Sequence, residues 1–186
     1  NVNFTRNADK FRGTSLSSIG ANVNNTKFNL TVGGNLVFSG PVSAEFTSSA
    51  SLGTENIVIG GALQVSGGVF SINYGSSASG HNINVQIGGN LAISGGNTFL
   101  TRNAGIGTIA VGGTMSISTG MLTIKSSTGV VQMIVSGQYN QSGGTIYMHG
   151  NSAQVSSDKI TLSIQGNFTQ SSGMLSFDDN SDNSNA

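Results

Sequence analysis

The sequence lacks cysteine altogether and contains a single proline, Pro41. Without cysteine the chain can form neither a disulfide framework nor a thiolate metal site. It also lacks any run of about 18 apolar residues, the length that a membrane-spanning helix requires. Only 8% of the residues are charged and the formal net charge is zero. The few lysines and arginines are scattered and form no basic stripe, so we do not expect nucleic-acid binding.

Small polar residues dominate what is present. The chain of 186 residues contains 28 glycines, 29 serines, 21 asparagines and 16 threonines, about half of the total. A disordered chain of this kind would have low hydrophobicity and high net charge, whereas here 36% of the residues are hydrophobic. Because these hydrophobic residues recur at regular positions, the composition favours short strands joined by tight turns.

A repeat with a marker glycine organises the chain. The glycine of the pattern apolar-x-apolar-x-Gly recurs every 24 to 29 residues, at Gly34, Gly61, Gly89, Gly113, Gly137 and Gly166. Each copy contains three apolar-x-apolar pairs, and three residues separate one pair from the next, as in Leu30-Thr-Val32-Gly-Gly-Asn-Leu36-Val-Phe38. Fixed-period repeats of this length are typical of solenoids.

Each apolar pair predicts a short strand, because residues i and i+2 lie on one face of a strand. The gaps contain Gly, Ser and Asn, which tolerate the backbone conformations of corners. We therefore predict an all-β, single-stranded parallel β-helix (β-solenoid) with three short strands per coil, right-handed by default, in about six to seven coils. An antiparallel sandwich is the alternative, but it gives no reason for identical corners in a fixed three-strand phase.

The repeats divide the chain into three parts. We expect a degenerate first coil over residues 1–27, six repeats of 24–29 residues over 28–177, and a polar tail over 178–186. The match of Phe4-Thr-Arg-Asn-Ala to Leu100-Thr-Arg-Asn-Ala predicts that Phe4 belongs to a third strand. The candidate inward residues of the first coil are Phe11, Leu16, Ile19, Val23 and Phe28.

Length variation is concentrated in the third connection of each coil. The segments 47–56, 75–82 and 150–160 differ in length, so we expect loops along one edge of the solenoid. Solenoid ends expose unpaired backbone and require caps, and no capping pattern is visible at either end. We expect further coils, a cap, or end-to-end stacking of identical copies.

Two groups of amide residues recur in phase. Asn35, Asn90 and Asn167 occupy one corner, where they could form an amide ladder between coils or simply favour the turn. Gln141 and Gln170 replace apolar residues at one inward position of adjacent coils. A buried amide is costly unless it is paired, so we predict that these two glutamines stack and pair with each other; a ligand site is the less favoured reading.

Two motifs resemble ligand sites. Asp178, Asp179 and Asp182 form an acidic cluster that could hold Ca²⁺, although a solvated terminus is the preferred interpretation. Gly105-Ile-Gly107-Thr-Ile-Ala110 matches a dinucleotide-binding pattern, but that pattern requires a helix to follow. Because Ile109 and Val111 begin a predicted strand, we reject it.

The remaining chemically competent residues do not form a catalytic group. His81 and His149 are isolated and are predicted to be surface residues near outgoing loops. Glu45 and Glu55 are predicted to lie in one loop region without a partner carboxylate in the next coil, whereas polysaccharide-cleaving sites need paired carboxylates. We therefore predict no catalytic residues, no metal site and no cofactor, and identify no ligand-binding residue.

Two copies carry a resemblance to a known group. Val85-Gln-Ile-Gly-Gly-Asn-Leu-Ala-Ile-Ser-Gly-Gly96 and Leu162-Ser-Ile-Gln-Gly-Asn-Phe-Thr-Gln-Ser-Ser-Gly173 resemble β-helical repeats of large secreted surface proteins of Bacteroidota, similar to type 9 secretion system cargo. The resemblance spans roughly residues 28–177 and implies an extracellular or cell-surface adhesin. It supplies no functional residues.

These observations predict a structural repeat or stalk segment of a cell-surface adhesin or fibre that is not an enzyme. Its expected partners are neighbouring coils of the same chain or end-to-end copies, and glycans or a cell surface. The alternative is a carbohydrate-binding or polysaccharide-processing β-helix. A binder of ice or another regular surface would require threonines aligned in successive coils, and the threonines do not align in the sequence.

Overall fold

Strands account for all the regular secondary structure in the described part of the chain. The computed structural model describes residues 2–4, 10–12, 26–40, 43–47, 53–73, 81–101, 105–125, 129–150 and 159–177. In chain order the strands are β1 (Val2–Phe4), β2 (Lys10–Arg12), β3 (Thr26–Val32), β4 (Leu36–Phe38), β5 (Ser43–Thr47), β6 (Gly53–Ile59), β7 (Leu63–Asn73), β8 (His81–Ile87), β9 (Leu91–Thr101), β10 (Gly105–Val111), β11 (Met115–Lys125), β12 (Gly129–Val135), β13 (Tyr139–His149), β14 (Lys159–Ile164) and β15 (Phe168–Ser176).

The described strands form two parallel sheets. The six-stranded sheet has the order β14-β12-β10-β8-β6-β3. The nine-stranded sheet follows β1-β4-β7-β9-β11-β13-β15, and β2 and β5 join it at β7. The chain alternates between the sheets, so each strand pairs with its equivalent in the next coil. This arrangement is the predicted parallel β-solenoid.

Like residues lie over like residues through the stack. Leu36 pairs with Leu63 and Leu63 pairs with Leu91, and the same row continues through Met115 and Tyr139. A second row in the other sheet runs from Ile57 through its equivalents in the following coils. The predicted internal column of leucines is therefore confirmed.

The inward rows of both sheets form one hydrophobic core. Its residues are almost fully buried, as Ile57, Leu63 and Val85 illustrate with exposures of 0, 0 and 1%. Along β6 the burial alternates, since Ile57 and Ile59 are buried while Asn56 and Val58 between them are partly exposed. The alternation explains why the sequence specifies the register, because a shift of one residue would turn the apolar rows outward.

The first corner of each coil is hydrogen-bonded to the coil before it. The marker glycines donate their backbone N–H groups to the carbonyl of the preceding marker glycine, with N···O distances of 2.8 to 3.1 Å from Gly61 to Gly166. The residue before each marker glycine also donates its N–H group to the preceding coil, as when Gly88 N–H donates to the Ile59 carbonyl over 2.7 Å. The corner is therefore a continuation of the sheet and not a loose turn.

The second corner differs from the expectation of three separate strands per coil. In β7, β9, β11 and β13 the second and third predicted strands are the two halves of one strand of 11 residues. Each of these strands contains one glycine at positive φ, from +67° to +82°, at Gly68, Gly96, Gly120 and Gly144. A left-handed residue bends the chain while most of the register pairs continue on both sides, so the predicted corner is a bend within a strand.

The first coil and the third connections require two corrections. Phe4 pairs with Phe38, which places it in the second-strand row and not in the predicted third-strand row. The four identical residues Thr-Arg-Asn-Ala that follow were too short a signal against the pairing of whole strands. The expected loops over 47–56, 75–82 and 150–160 are also shorter, because β6, β8 and β14 already begin at Gly53, His81 and Lys159. Leu16, Ile19 and Val23 lie outside the described residues, and the handedness, the number of coils and the outer boundaries stay predictions.

Candidate functional site

The outer face of the six-stranded sheet is the best-formed candidate surface. Its strands pair without a register shift, so its outward side chains form straight rows along the solenoid axis. The central row consists of Asn29, Asn56, Asn84, Thr108, Gln132 and Thr161. Polar side chains therefore recur at the coil spacing of about 4.8 Å along the middle of this face.

The first three members of this row form an amide ladder. Asn56 Nδ2 donates to Oδ1 of Asn29 over 3.0 Å, and Asn84 Nδ2 donates to Oδ1 of Asn56 over 3.0 Å. All the amides therefore point the same way along the axis. Ladders of this kind stabilise stacked parallel strands, and here the ladder lies on an exposed surface.

A groove of about 510 Å³ runs beside the ladder. Its walls include Asn29, Asn56 and Asn84 on one side and Val58 and Gln86 of the neighbouring row on the other. All nine lining residues are uncharged. The groove therefore presents amide and hydroxyl groups together with small apolar side chains, which suits a neutral polar ligand.

The corner asparagines form hydrogen bonds between coils, but not the amide ladder that the sequence allowed for them. Asn35 Oδ1 accepts from the backbone N–H of Ala62 over 2.8 Å, and Asn90 Oδ1 accepts from that of Thr114 over 2.8 Å. The equivalent residue in the next coil is not asparagine in either case, so the side chain bonds to the backbone. These side-chain oxygens link the corners of successive coils.

Gln141 and Gln170 lie in register in one inward row, as predicted, but they do not pair with each other. Gln141 Nε2 donates to the carbonyl oxygens of Met174 over 3.0 Å and Gly144 over 3.3 Å. Gln170 Nε2 donates to the Gly173 carbonyl over 3.1 Å. The predicted amide pair is wrong because the bend glycines bring carbonyl groups closer to these side chains than the neighbouring glutamine.

The surface position predicted for His149 is also wrong. His149 is 3% exposed and pairs in register with Lys125, which in turn pairs with Thr101. Lys125 and Thr101 are buried as well, at 0 and 1% exposure. This buried polar row ends three long strands at the third corner, where Gly150 N–H donates to the Lys125 carbonyl over 2.7 Å. Burial removes it from contact with an external ligand.

Glu55 lies in a strand and not in the predicted loop. It is 4% exposed and belongs to an inward row of the six-stranded sheet, between Phe28 and Ile83. Glu55, Ile57 and Ile59 alternate along β6 and are all buried. The inward-facing row of this strand therefore begins two residues earlier than the apolar motif suggested. Glu45 lies in β5 and pairs with Ser71, so the two glutamates occupy different sheets.

The other sequence candidates have simple outcomes. Residues 105–111 form strand β10, so the rejection of the dinucleotide motif is confirmed. His81 is the first residue of β8, while Asp178, Asp179 and Asp182 lie outside the described residues. Across the ranges that the structure describes, no three His, Cys, Asp or Glu side chains are grouped to hold a metal ion, and no helix has the length and hydropathy to cross a membrane.

The sequence contained the signal for the amide ladder in a position that the repeat motif leaves out. Asn29, Asn56 and Asn84 each immediately precede the first apolar residue of their copy. Aligning the outward positions of successive copies would have revealed the row. The hydrogen bonds themselves required the register of β3, β6 and β8.

Comparison with known proteins adds no identification to this geometry. The chain matches no family model, no curated protein sequence and no solved structure.

Proposed function

We propose that this chain is a structural repeat segment of an extracellular cell-surface adhesin or fibre, and that it acts as a stiff spacer without catalytic activity. The observation that carries the proposal is the continuity of the stack. Hydrogen bonds between coils run through both sheets and also through the first corners, from Gly61 to Gly166. A chain cross-linked in this way along its axis resists bending more than a string of separate domains does.

The dimensions suit a spacer. Six parallel strands of one sheet at the usual separation extend roughly 24 Å from the first to the last. The outward side chains described on the six-stranded sheet are mostly polar and uncharged, with exposed apolar exceptions at Ile106 and Val130. The resemblance of residues 85–96 and 162–173 to repeats of secreted surface proteins supports an extracellular location. The described carboxylate Glu55 points into the core, where it has no access to an external polysaccharide.

The last described coil supports docking of a further coil of the same kind. Phe168 is 51% exposed although Tyr139, its partner in the same row, is 0% exposed. Met174 and Phe177 are exposed by 43 and 67%. An additional coil, from the same protein or from an identical copy, would cover these rows and pair with β14 and β15, the terminal strands of the two sheets in the described part of the chain.

Docking is tested by sedimentation of the isolated 186-residue chain over a range of concentrations. We expect self-association that weakens in Phe177→Asp. Ile106→Asp is the matched control, since Ile106 is 62% exposed but lies on the flat face and not at the edge. Equal weakening in both variants, or no association in the unmodified chain, would count against docking of identical copies.

The spacer role is tested by placing the chain between two fluorescent proteins. A stiff solenoid gives one narrow distance distribution that does not change with ionic strength, whereas a broad distribution would contradict the proposal. Antibodies raised against the chain should label intact native cells without permeabilisation. Labelling only after permeabilisation would contradict the extracellular location.

A further inference from the structure

The amide ladder leaves hydrogen-bonding capacity unused on a surface that already repeats. A primary amide has two N–H donors and a carbonyl oxygen with two lone pairs. Asn56 uses one donor toward Asn29 and one lone pair toward Asn84. It therefore retains one donor and one lone pair, and Asn29 and Asn84 retain at least as many. The exposed row offers a donor and an acceptor in every coil.

The spacing of these groups defines the ligand. Coils repeat at about 4.8 Å along the axis, which is close to the length of one pyranose unit in an extended polysaccharide. Sugar hydroxyls both donate and accept, so each unit can satisfy the donor and the acceptor of one asparagine. We propose that the groove beside Asn29, Asn56 and Asn84 binds a neutral, extended polysaccharide whose chain runs along the solenoid axis.

The rest of the groove supports a neutral sugar polymer over other ligands. Gln86 and Thr108 add polar groups beyond the ladder, while Val58 and Ala110 present small apolar surfaces to the C–H face of a sugar ring. A charged polymer would lose water without meeting a counter-charge, because none of the lining residues is charged. Nucleic acid and acidic polysaccharides are therefore disfavoured.

A regular inorganic surface such as ice fits this face less well. The central row consists of three asparagines followed by threonine, glutamine and threonine. No threonine is the register partner of another threonine in the described strand pairs of this sheet. Flat binding without an aromatic platform in the groove predicts weak binding per sugar unit. Strength would come from the number of coils engaged along one polymer.

The proposal uses the stacked coil only as a support, so failure of glycan binding would leave the spacer role intact, and a flexible chain would undermine both. Binding is measured by affinity electrophoresis of the 186-residue chain in gels that contain a soluble neutral β-1,4-glucan, a β-1,4-mannan, or polygalacturonate as the charged comparison. We expect retardation by at least one neutral polymer and none by polygalacturonate.

Variants locate the site. Asn56→Ala removes a ladder amide, and Gln86→Ala removes an exposed amide that lines the groove outside the ladder. Each should weaken binding roughly fivefold, as expected for the loss of about one hydrogen bond. Gln64→Ala is the matched control, because Gln64 is an exposed amide on the other sheet, and it should bind normally. Thermal unfolding of each variant distinguishes loss of binding from loss of fold.

Oligosaccharides of increasing length provide an independent readout. The ladder and Thr108 cover four successive coils, so affinity should rise up to about four sugar units and then level off. No retardation by any neutral polymer, equal retention by polygalacturonate, or normal binding of folded Gln86→Ala and Asn56→Ala would overturn the proposal. Loss of self-association in Asn56→Ala would also overturn it and assign the face to a second copy of the chain.

Discussion

Tyr139 stacks directly on Phe168 in the next coil, with ring centroids 4.5 Å apart and ring planes 3° from parallel. The rings continue a row that contains Leu36, Leu63 and Leu91 in earlier coils. The Tyr139 hydroxyl donates to Gln141 Oε1 over 2.7 Å, two residues along the same strand. An aromatic row and a buried polar pair are thus combined at one level of the stack.

Tyr139→Phe separates these two contributions. The stack should persist, while the loss of the hydroxyl leaves Gln141 Oε1 without its donor and lowers the free energy of unfolding by about 1–2 kcal/mol at pH 8. Chemical unfolding monitored by circular dichroism measures the difference. Tyr147→Phe, at a partly exposed position, should change stability much less, and a similar loss in both variants would contradict the assignment.

The same tyrosine makes stability depend on alkaline pH. Burial raises the pKa of Tyr139 to about 12, above the ordinary value of about 10. A raised pKa means that its contribution is complete below pH about 10 and is lost as the pH rises toward 12. The stability difference between the unmodified chain and Tyr139→Phe should therefore shrink between pH 10 and 12. A constant difference across that range would show that Tyr139 ionises equally in the folded and unfolded chains.

Gln141 and Gln170 form a natural matched pair. Gln141 is 1% exposed and donates to two carbonyl groups, whereas Gln170 is exposed and donates to one. Gln141→Leu restores the apolar character of the row but leaves two partly buried carbonyls and the Tyr139 hydroxyl without this partner, so we expect a loss of about 1–3 kcal/mol. Gln170→Leu should be nearly neutral. If hydrophobicity decided the outcome, both leucine variants would be stabilised in unfolding titrations.

The structural features that could be predicted from the sequence are those that repeat from copy to copy. The apolar pairs, as in Leu63 with Val65 and Leu91 with Ile93, recur through the copies except where Gln141 and Gln170 replace the second member. Only one arrangement buries them all. Strand type, parallel pairing and the internal column could therefore be predicted. The bend at Gly96 was predicted as a corner between strands, because sequence shows that a turn is needed but not whether the ladder is interrupted.

The candidate site was missed because its signal lies outside the repeated motif. The hydrogen bonds among Asn29, Asn56 and Asn84 could be recognised only once the strand register placed their amides within hydrogen-bonding distance. His149 was misplaced for a related reason: its burial depends on packing at the third corner, where the connections vary in length and the repeat gives no guidance. Glu55 was misplaced because a carboxylate interrupts an apolar face that the alternation nevertheless continues.

The corner glycines yield a sharp test of close coil packing. A Cβ added to Gly88 would lie 2.5 Å from the backbone oxygen of Gly60 in the preceding coil. The backbone of Gly60 cannot move aside without breaking the backbone hydrogen bonds between coils. Gly88→Ala should therefore destabilise the chain by about 1–3 kcal/mol. The control is Gly33→Ala, where an added Cβ would meet nothing within 4 Å. It should change the unfolding free energy by less than about 1 kcal/mol, and equal effects would contradict this packing.

Ala62→Asn should stabilise the chain. Asn35 and Asn90 occupy the same corner position and each accepts a backbone N–H from the next coil. The side-chain oxygens of Asn35 and Asn90 occupy the space that a Cβ atom would take at Gly61 and Gly113 of the next coil. Gly89 leaves the same space free of a Cβ atom next to position 62, so an asparagine side chain fits there. A new asparagine could accept the Asn90 N–H, for a gain of about 0.5–1 kcal/mol. Ala92→Asn, outside the corner, is the control and should give no gain in melting temperature.

Two buried threonines should respond to the same substitution with opposite signs. Thr98 is 0% exposed, and its hydroxyl has no hydrogen-bond partner among the described residues. It replaces an apolar residue in the row of Phe70 and Leu122, so Thr98→Val removes an unsatisfied polar group and should stabilise the chain by about 1 kcal/mol. The Thr101 hydroxyl instead donates to the Ile124 carbonyl over 2.9 Å. Thr101→Val should therefore cost about 1 kcal/mol. Since both changes swap a hydroxyl for a methyl in the same strand, equal shifts in the unfolding midpoint would show that hydrogen bonding does not distinguish these two sites.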